Sequence, residues 1–81
     1  MADAMTLRFE DWYRYDPVTD RQVVRLLGIT GTGTYSAEFG TRDSAYLREQ
    51  RKRFKDYVLE CMAEGIEPHE IEMEDEDDTV H

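Results

Sequence analysis

Apolar and polar residues alternate in the first half of the chain. The stretch "TLRFEDWYRYD" places apolar side chains from Leu7 to Tyr15 on one face and Trp12 among charged residues on the other, with an interruption at Asp11. The stretch "QVVRLLGI" is apolar on both faces, and "TYSAEF" alternates from Tyr35 onward. A period of two residues is typical of β-strands, and apolarity on both faces is typical of a central strand. The pattern therefore predicts three strands.

Turn residues separate these strands. Pro17 in "DPVTD" presets a turn dihedral, and the neighbouring Asp and Thr side chains can bond locally. Gly31 and Gly33 in "TGTG" mark a second turn. Short turns between alternating stretches predict hairpins, and hence an antiparallel sheet.

A helix is predicted from Ser44 to about Glu64. Asp43 is a suitable N-cap, Gly65 suits the left-handed position after the last turn, and Pro68 prevents continuation. At about 100° per residue, one apolar stripe runs along this helix. The stripe consists of Leu47, Phe54, Val58 and Cys61.

The predicted fold is α+β: a small antiparallel sheet of three or four strands, in the order β-β-β-α, covered by one long helix. We expect residues 1–73 to form a single domain, in which residues 69–73 add either an edge strand or a turn of helix. Residues 74–81 are expected to form a flexible acidic tail because like charges repel. A competing interpretation takes residues 21–27 and 30–39 as a helix-turn-helix, although two glycines and several Thr or Ser residues disfavour its second helix.

The negative charge lies at one end of the chain. Residues 1–63 contain ten acidic and ten basic residues, whereas residues 64–81 contain nine acidic and no Lys or Arg residues, which accounts for the net charge of -9. The acidity therefore belongs to the C-terminal segment and not to the body of the domain.

Residues suited to catalysis or metal binding are few. The single Cys61 excludes an intramolecular disulfide and a cysteine-based zinc site, and neither His69 nor His81 belongs to a nucleophile motif. We therefore predict no catalytic residue, no cofactor and no metal site. The chain shows no secretory leader and no apolar stretch of membrane-spanning length, so we expect a cytoplasmic protein without a membrane partner.

The segment "REQRKRFK" concentrates positive charge on one side of the predicted helix. Four of its cations lie within about 100° of one another on a helical wheel, beside the apolar stripe. This basic stripe consists of Arg48, Arg51, Lys52 and Lys55. Such a stripe can contact phosphates, which favours nucleic-acid binding as an alternative function, with the acidic tail folding back on the stripe as an autoinhibitor.

The other candidate surface combines Trp12 with the acidic segment. If the helix covers one sheet face, Trp12 lies on the opposite face among charged residues, a composition typical of interface hot spots. Rows of carboxylates can mimic nucleic acid in binding a basic groove. The predicted partner-binding residues are Trp12, Arg14, Glu67, Glu70, Glu72, Glu74, Asp75, Glu76, Asp77 and Asp78.

In size, acidity and lack of catalytic groups, the chain is similar in general type to phage-encoded inhibitors of host enzymes, including anti-CRISPR proteins. The leading hypothesis is accordingly a non-enzymatic inhibitor or adaptor that binds the basic surface of a larger, nucleic-acid-handling protein. The alternatives are nucleic-acid binding through the basic stripe and a structural subunit, for example of a virion or of a homodimer that covers Trp12.

Overall fold

The computed structural model describes residues 6–76, which form four strands and one helix. The elements are β1 (Leu7–Asp16), β2 (Arg21–Thr30), β3 (Thr34–Thr41), α1 (Ser44–Glu64) and β4 (Glu70–Glu72). This order confirms the predicted α+β class, with one long helix after three strands. Residues 21–30 are a strand, so the helix-turn-helix interpretation is wrong.

The sheet has the strand order β1-β2-β3-β4, and its direction differs from the prediction at one edge. β1, β2 and β3 pair antiparallel, whereas β4 pairs parallel with β3. The prediction of a wholly antiparallel sheet is therefore wrong for β4. The reason is the length of α1: its 21 residues span about 32 Å at 1.5 Å per residue, which carries the chain back along the sheet before β4 begins.

The register of the strands decides which side chains share a face. Directly opposed residues project to the same side of a sheet, so the pairs Trp12 with Arg25, Arg25 with Glu38, and Glu38 with Glu72 form one row. β1 pairs with β2 without a bulge through Asp11, which lies opposite Leu26. The sequence pattern suggested an interruption at Asp11, but the structure keeps the alternation and places this residue on the helix side.

The core lies between α1 and one side of the sheet. Phe54, Val58 and Cys61 of the helix are buried, as predicted. The fourth buried residue of the helix is Gln50, whereas Leu47 is only partly buried. The buried apolar residues are Val24, Leu26, Tyr35, Ala37, Phe39, Phe54, Val58 and Cys61. This single core holds the sheet and the helix together as one domain.

Both ends of α1 carry the predicted caps. The Asp43 carboxylate accepts from the backbone N–H of Ala45 at 2.9 Å. Gly65 adopts a left-handed conformation with φ of 76°, and the N–H of Ile66 donates to the carbonyl of Cys61 at 2.9 Å. Within residues 6–76, no helix is both long enough and apolar enough to cross a membrane.

Replacing Gly65 with alanine should lower the free energy of unfolding by about 1 kcal/mol, because L-residues other than glycine are strained at positive φ. No atom lies within 4 Å of the position that the new Cβ would take, so the loss would come from the backbone alone. Urea denaturation followed by circular dichroism measures it. Glu64→Ala, one residue earlier in helical conformation, is the control and should change stability little.

Candidate interaction surfaces

The side of the sheet opposite α1, here called the outer face, is not covered by any residue between 6 and 76. It combines one large exposed aromatic residue, Trp12, with half-buried aliphatic residues of β2 and with charged residues. Trp12 is 59% exposed. The residues of the outer face are Arg8, Glu10, Trp12, Arg14, Asp16, Arg21, Val23, Arg25, Leu27, Ile29, Thr34, Ser36, Glu38, Glu70 and Glu72. The structure thus places Trp12 and Arg14 together, as the sequence predicted.

Ion pairs partly neutralise the middle of the outer face. Glu38 lies 3.7 Å from both Arg14 and Arg25, and Arg8 lies 3.0 Å from Glu10. These side chains remain between about one third and two thirds exposed, so each pair contributes only about 0 to 1 kcal/mol. The pairs orient the charges around Trp12 without removing them from solvent.

An acidic edge borders the outer face along β4. Glu67, Glu70, Glu72 and Glu74 are exposed, and none of their carboxylates forms an ion pair with another residue in the described range. Ile71, between Glu70 and Glu72, is half-buried and packs against the core. The alternation of β4 therefore anchors the strand through Ile71 and turns two carboxylates toward the outer face.

Residues 74–76, which the sequence analysis assigned to a flexible tail, are bound to the end of β3. The Asp75 carboxylate accepts from the N–H of Gly40 at 2.8 Å. The Glu76 carboxylate accepts from the Thr41 hydroxyl at 2.6 Å and from the N–H of Arg42 at 2.8 Å. The Glu76 N–H donates to the Gly40 carbonyl at 2.8 Å. We call residues 74–76 the C-terminal clasp.

The C-terminal clasp also contacts the helix. The Tyr46 hydroxyl donates to the Glu74 carbonyl at 2.6 Å. Burial, followed by the nearby carboxylates of the clasp, raises the pKa of Tyr46, so its hydroxyl keeps the proton that it donates. The clasp thus belongs to the folded domain, and the carboxylates of Asp75 and Glu76 accept hydrogen bonds from backbone N–H groups and from the Thr41 hydroxyl. Asp77 and Asp78, also predicted to bind a partner, lie outside the described residues.

The basic stripe is largely engaged with the domain itself. Arg51 pairs with Asp11 of β1 at 3.0 Å, and the Lys55 ammonium lies 5.3 Å from the centre of the Phe9 ring. Lys52 pairs with Asp56 at 3.5 Å, one turn along the helix. Arg48 forms no ion pair within residues 6–76. Two of the four cations therefore hold the flank of α1 against β1.

The acidic segment and the basic stripe lie on opposite flanks of α1. The stripe contacts β1, whereas the segment from His69 to the clasp contacts Tyr46 and Tyr57 on the other flank and pairs with β3. Residues 70–76 therefore do not fold back on the basic stripe.

A groove between α1 and β4 contains His69. One ring nitrogen, Nδ1, lies 2.8 Å from the Glu67 carbonyl, and Nε2 lies 3.4 Å from the Tyr57 hydroxyl. The ring also packs edge-on against Tyr35 and Tyr57. These contacts give His69 a structural role. In the part of the chain that the structure describes, no three His, Cys, Asp or Glu residues are grouped so that they could hold a metal ion.

Comparisons of the chain with protein-family models, with curated proteins and with solved structures gave no match. The sequence identified Trp12 and the acidic residues of β4 as exposed, but it missed the structural use of Asp75 and Glu76, because a carboxylate that caps a strand end looks the same in sequence as one in a solvated charge run.

Proposed function

We propose that this protein is a non-enzymatic, cytoplasmic protein-binding module, a small acidic inhibitor or adaptor. Its outer face and acidic edge bind the basic, nucleic-acid-binding surface of a larger protein. The observation that carries the proposal is the open outer face with Trp12 59% exposed at one side and the carboxylates of β4 at the other. Exposed tryptophan with neighbouring arginine is the composition of interface hot spots.

The size of the outer face suits a macromolecule. Trp12 on β1 and Glu72 on β4 lie in one row across the sheet, three strand spacings of about 4.8 Å apart. A surface with roughly 14 Å between these two residues offers contacts at both ends to a partner larger than a typical small molecule. A protein partner can contact both ends of the row at once.

Charge indicates the chemistry of the partner. Glu70 and Glu72 project to the same side at a spacing of about 6.6 Å, since they are two residues apart in a strand. Lys and Arg side chains that normally bind phosphates can donate to such carboxylates instead. The acidic edge would thus compete with nucleic acid for a cationic surface, which is a simple route to inhibition.

The test compares two variants with equal changes in charge. Glu70→Lys combined with Glu72→Lys reverses the acidic edge, whereas Glu60→Lys combined with Glu64→Lys reverses two exposed residues near the end of α1. Each immobilised protein is exposed to an extract of the organism that encodes it, and retained proteins and nucleic acids are identified. We expect the unaltered protein and the helix variant to retain a basic protein that added DNA displaces. The edge variant should bind it about tenfold more weakly, equivalent to about 1.4 kcal/mol.

Equal retention by the edge and helix variants would contradict the proposal. Retention of nucleic acid alone, lost on reversing Arg48 and Lys55, would favour the alternative function of the basic stripe. Those two cations are the ones that form no ion pair within the described range.

A further inference from the structure

Within residues 6–76, β1 is an edge strand of ten residues that pairs with β2 on one side and with no strand on the other. The N–H of Ser36 donates to the His69 carbonyl, so even-numbered residues of β3 direct their backbone groups toward β4. The odd-numbered residues of β3 therefore bond to even-numbered residues of β2, and the odd-numbered residues of β2 bond to β1. Because odd-numbered residues of β2 lie opposite even-numbered residues of β1, the even-numbered residues of β1 are the ones that bond to β2. The backbone groups of Leu7, Phe9, Asp11, Tyr13 and Tyr15 therefore point away from the sheet.

This edge lacks several of the features that keep edge strands apart, although five of its ten residues are charged. β1 has ten residues and contains no Pro, Lys, Gly or bulge. One inward charge, Asp11, is present, but it is already neutralised by Arg51 at 3.0 Å and accepts from the Tyr13 hydroxyl at 3.1 Å. An unprotected edge of this length is a template for another strand.

The outer-face residues of β1 carry a charge pattern that is complementary to itself. Read along the strand, they are Arg8, Glu10, Trp12, Arg14 and Asp16. If a second copy pairs antiparallel with β1 so that the two Trp12 residues are opposed, every cation lies opposite an anion. Arg8 then lies opposite Asp16 of the second copy, and Glu10 lies opposite Arg14 of the second copy. Opposite charges directly across two antiparallel strands are stabilising, and like charges are destabilising.

Neighbouring registers lose this match. Centring the pair on Asp11 places Arg8 opposite Arg14 of the second copy and brings the two Asp11 residues together. Centring it on Tyr13 places Glu10 opposite Asp16. Only the register centred on Trp12 opposes unlike charges throughout, so charge complementarity selects one alignment.

The helix side of β1 leaves room for the second copy. α1 lies over β2 and β3 and reaches β1 through Arg51, Phe54 and Lys55, which contact Asp11 and Phe9. Tyr13 and Tyr15 of β1 nevertheless remain 44% and 59% exposed. In the alignment centred on Trp12, Tyr15 lies opposite Phe9 of the second copy. Tyr13 lies opposite Asp11, which accepts hydrogen bonds. Aromatic pairs across strands add to the stability of a sheet.

We propose that two copies of this protein pair antiparallel through β1, in the register centred on Trp12, and form one continuous eight-stranded sheet. Both outer faces then lie on the same side, with the two Trp12 residues adjacent at the symmetry axis and an acidic edge at each end. This pairing does not depend on the proposed function, because it rests on the backbone groups and charges of β1, and the carboxylates of Glu70 and Glu72 take no part in it.

The first experiment uses charge reversal and mixing. Light scattering of the full chain should give twice the monomer mass of 9.6 kDa. Glu10→Arg opposes two pairs of cations, and Arg14→Glu opposes two pairs of anions, so each variant alone should dimerise at least about tenfold more weakly. An equimolar mixture of the two should form a heterodimer, because every opposed pair is again unlike. Glu70→Arg, on the same face at the other edge, should leave the dimer unchanged.

Circular dichroism of the single variants checks that they are folded, and recovery of a dimer in the mixture would demonstrate it independently. A monomeric full chain from micromolar to millimolar concentration would overturn the proposal. So would single variants that dimerise as well as the unaltered chain, or a mixture that stays monomeric.

The second experiment tests the register by disulfide formation. In the proposed alignment the two Trp12 positions form a non-hydrogen-bonded pair, the type with the closest side chains, so Trp12→Cys should cross-link on oxidation. Arg8→Cys should not, since the two Arg8 positions lie eight residues apart along the strands, about 27 Å. The native Cys61 is 1% exposed and does not compete. Cross-linking of Arg8→Cys at the rate of Trp12→Cys would overturn the register.

Discussion

Replacing Phe54 with alanine should lower the free energy of unfolding by about 3–5 kcal/mol. Phe54 is 2% exposed and packs edge-on against Phe9 with 6.2 Å between ring centres, so alanine would leave a cavity between α1 and the sheet. A chain of 81 residues has a total stability of about 4–12 kcal/mol at typical values per residue. One substitution would therefore remove a large fraction of it.

Urea denaturation followed by circular dichroism measures this loss. Leu59→Ala is the matched control: it removes an aliphatic side chain from the same helix at a position that is 52% exposed, and it should cost less than about 0.5 kcal/mol. Similar losses for both variants would contradict the placement of Phe54 in the core.

Truncation after Met73 should leave the domain about 2–4 kcal/mol less stable than truncation after Glu76. The first truncation removes the C-terminal clasp and its five hydrogen bonds to Gly40, Thr41, Arg42 and Tyr46. Each intramolecular hydrogen bond contributes about 0.5–1.5 kcal/mol net, and several of these groups are partly exposed. The second truncation removes none of these bonds.

Two substitutions of Glu76 separate the contribution of its hydrogen bonds from that of its charge. Glu76→Ala removes the acceptor for the Thr41 hydroxyl and the Arg42 N–H, whereas Glu76→Gln keeps an acceptor oxygen and should preserve most of the stability. Urea denaturation midpoints measure the stability of the two truncated chains and of the two Glu76 variants. Equal stability after both truncations would show that the clasp contributes nothing. Any test of partner binding by the acidic end should therefore truncate after Glu76, so that loss of binding is not loss of structure.

The elements with local signals were predictable from the sequence. The strands follow from alternation around Leu7 and Tyr35, and α1 follows from its apolar stripe and from the caps at Asp43 and Gly65. The direction of β4 was not predictable in the same way, because it depends on how far α1 carries the chain along the sheet. The position of the clasp depends on the backbone N–H groups of Gly40 and Arg42 at the end of β3, and the pattern of apolar residues does not reveal them.

The basic stripe shows how a charge cluster can mislead. In sequence, Arg51 and Lys55 resemble phosphate-binding residues because they stand among other cations beside an apolar stripe. In the structure, Arg51 pairs with Asp11, and Lys55 lies over the Phe9 ring, so both connect the helix to β1. The sequence did contain a signal for this contact between helix and sheet. Asp11 is a single carboxylate on the otherwise apolar helix side of β1, and such a carboxylate requires a cation from the helix as its partner.

The parallel attachment of β4 sets an order for folding. The loops 17–20 and 31–33 close the two hairpins over a few residues, whereas Ser36 meets Glu70 at a separation of 34 positions. Closing the longer segment costs about 2 kcal/mol more in chain entropy, so the three-stranded meander should form first. During synthesis the meander is complete before Glu70 is added to the chain. We therefore expect the acidic edge to pair with β3 after the three-stranded meander has formed.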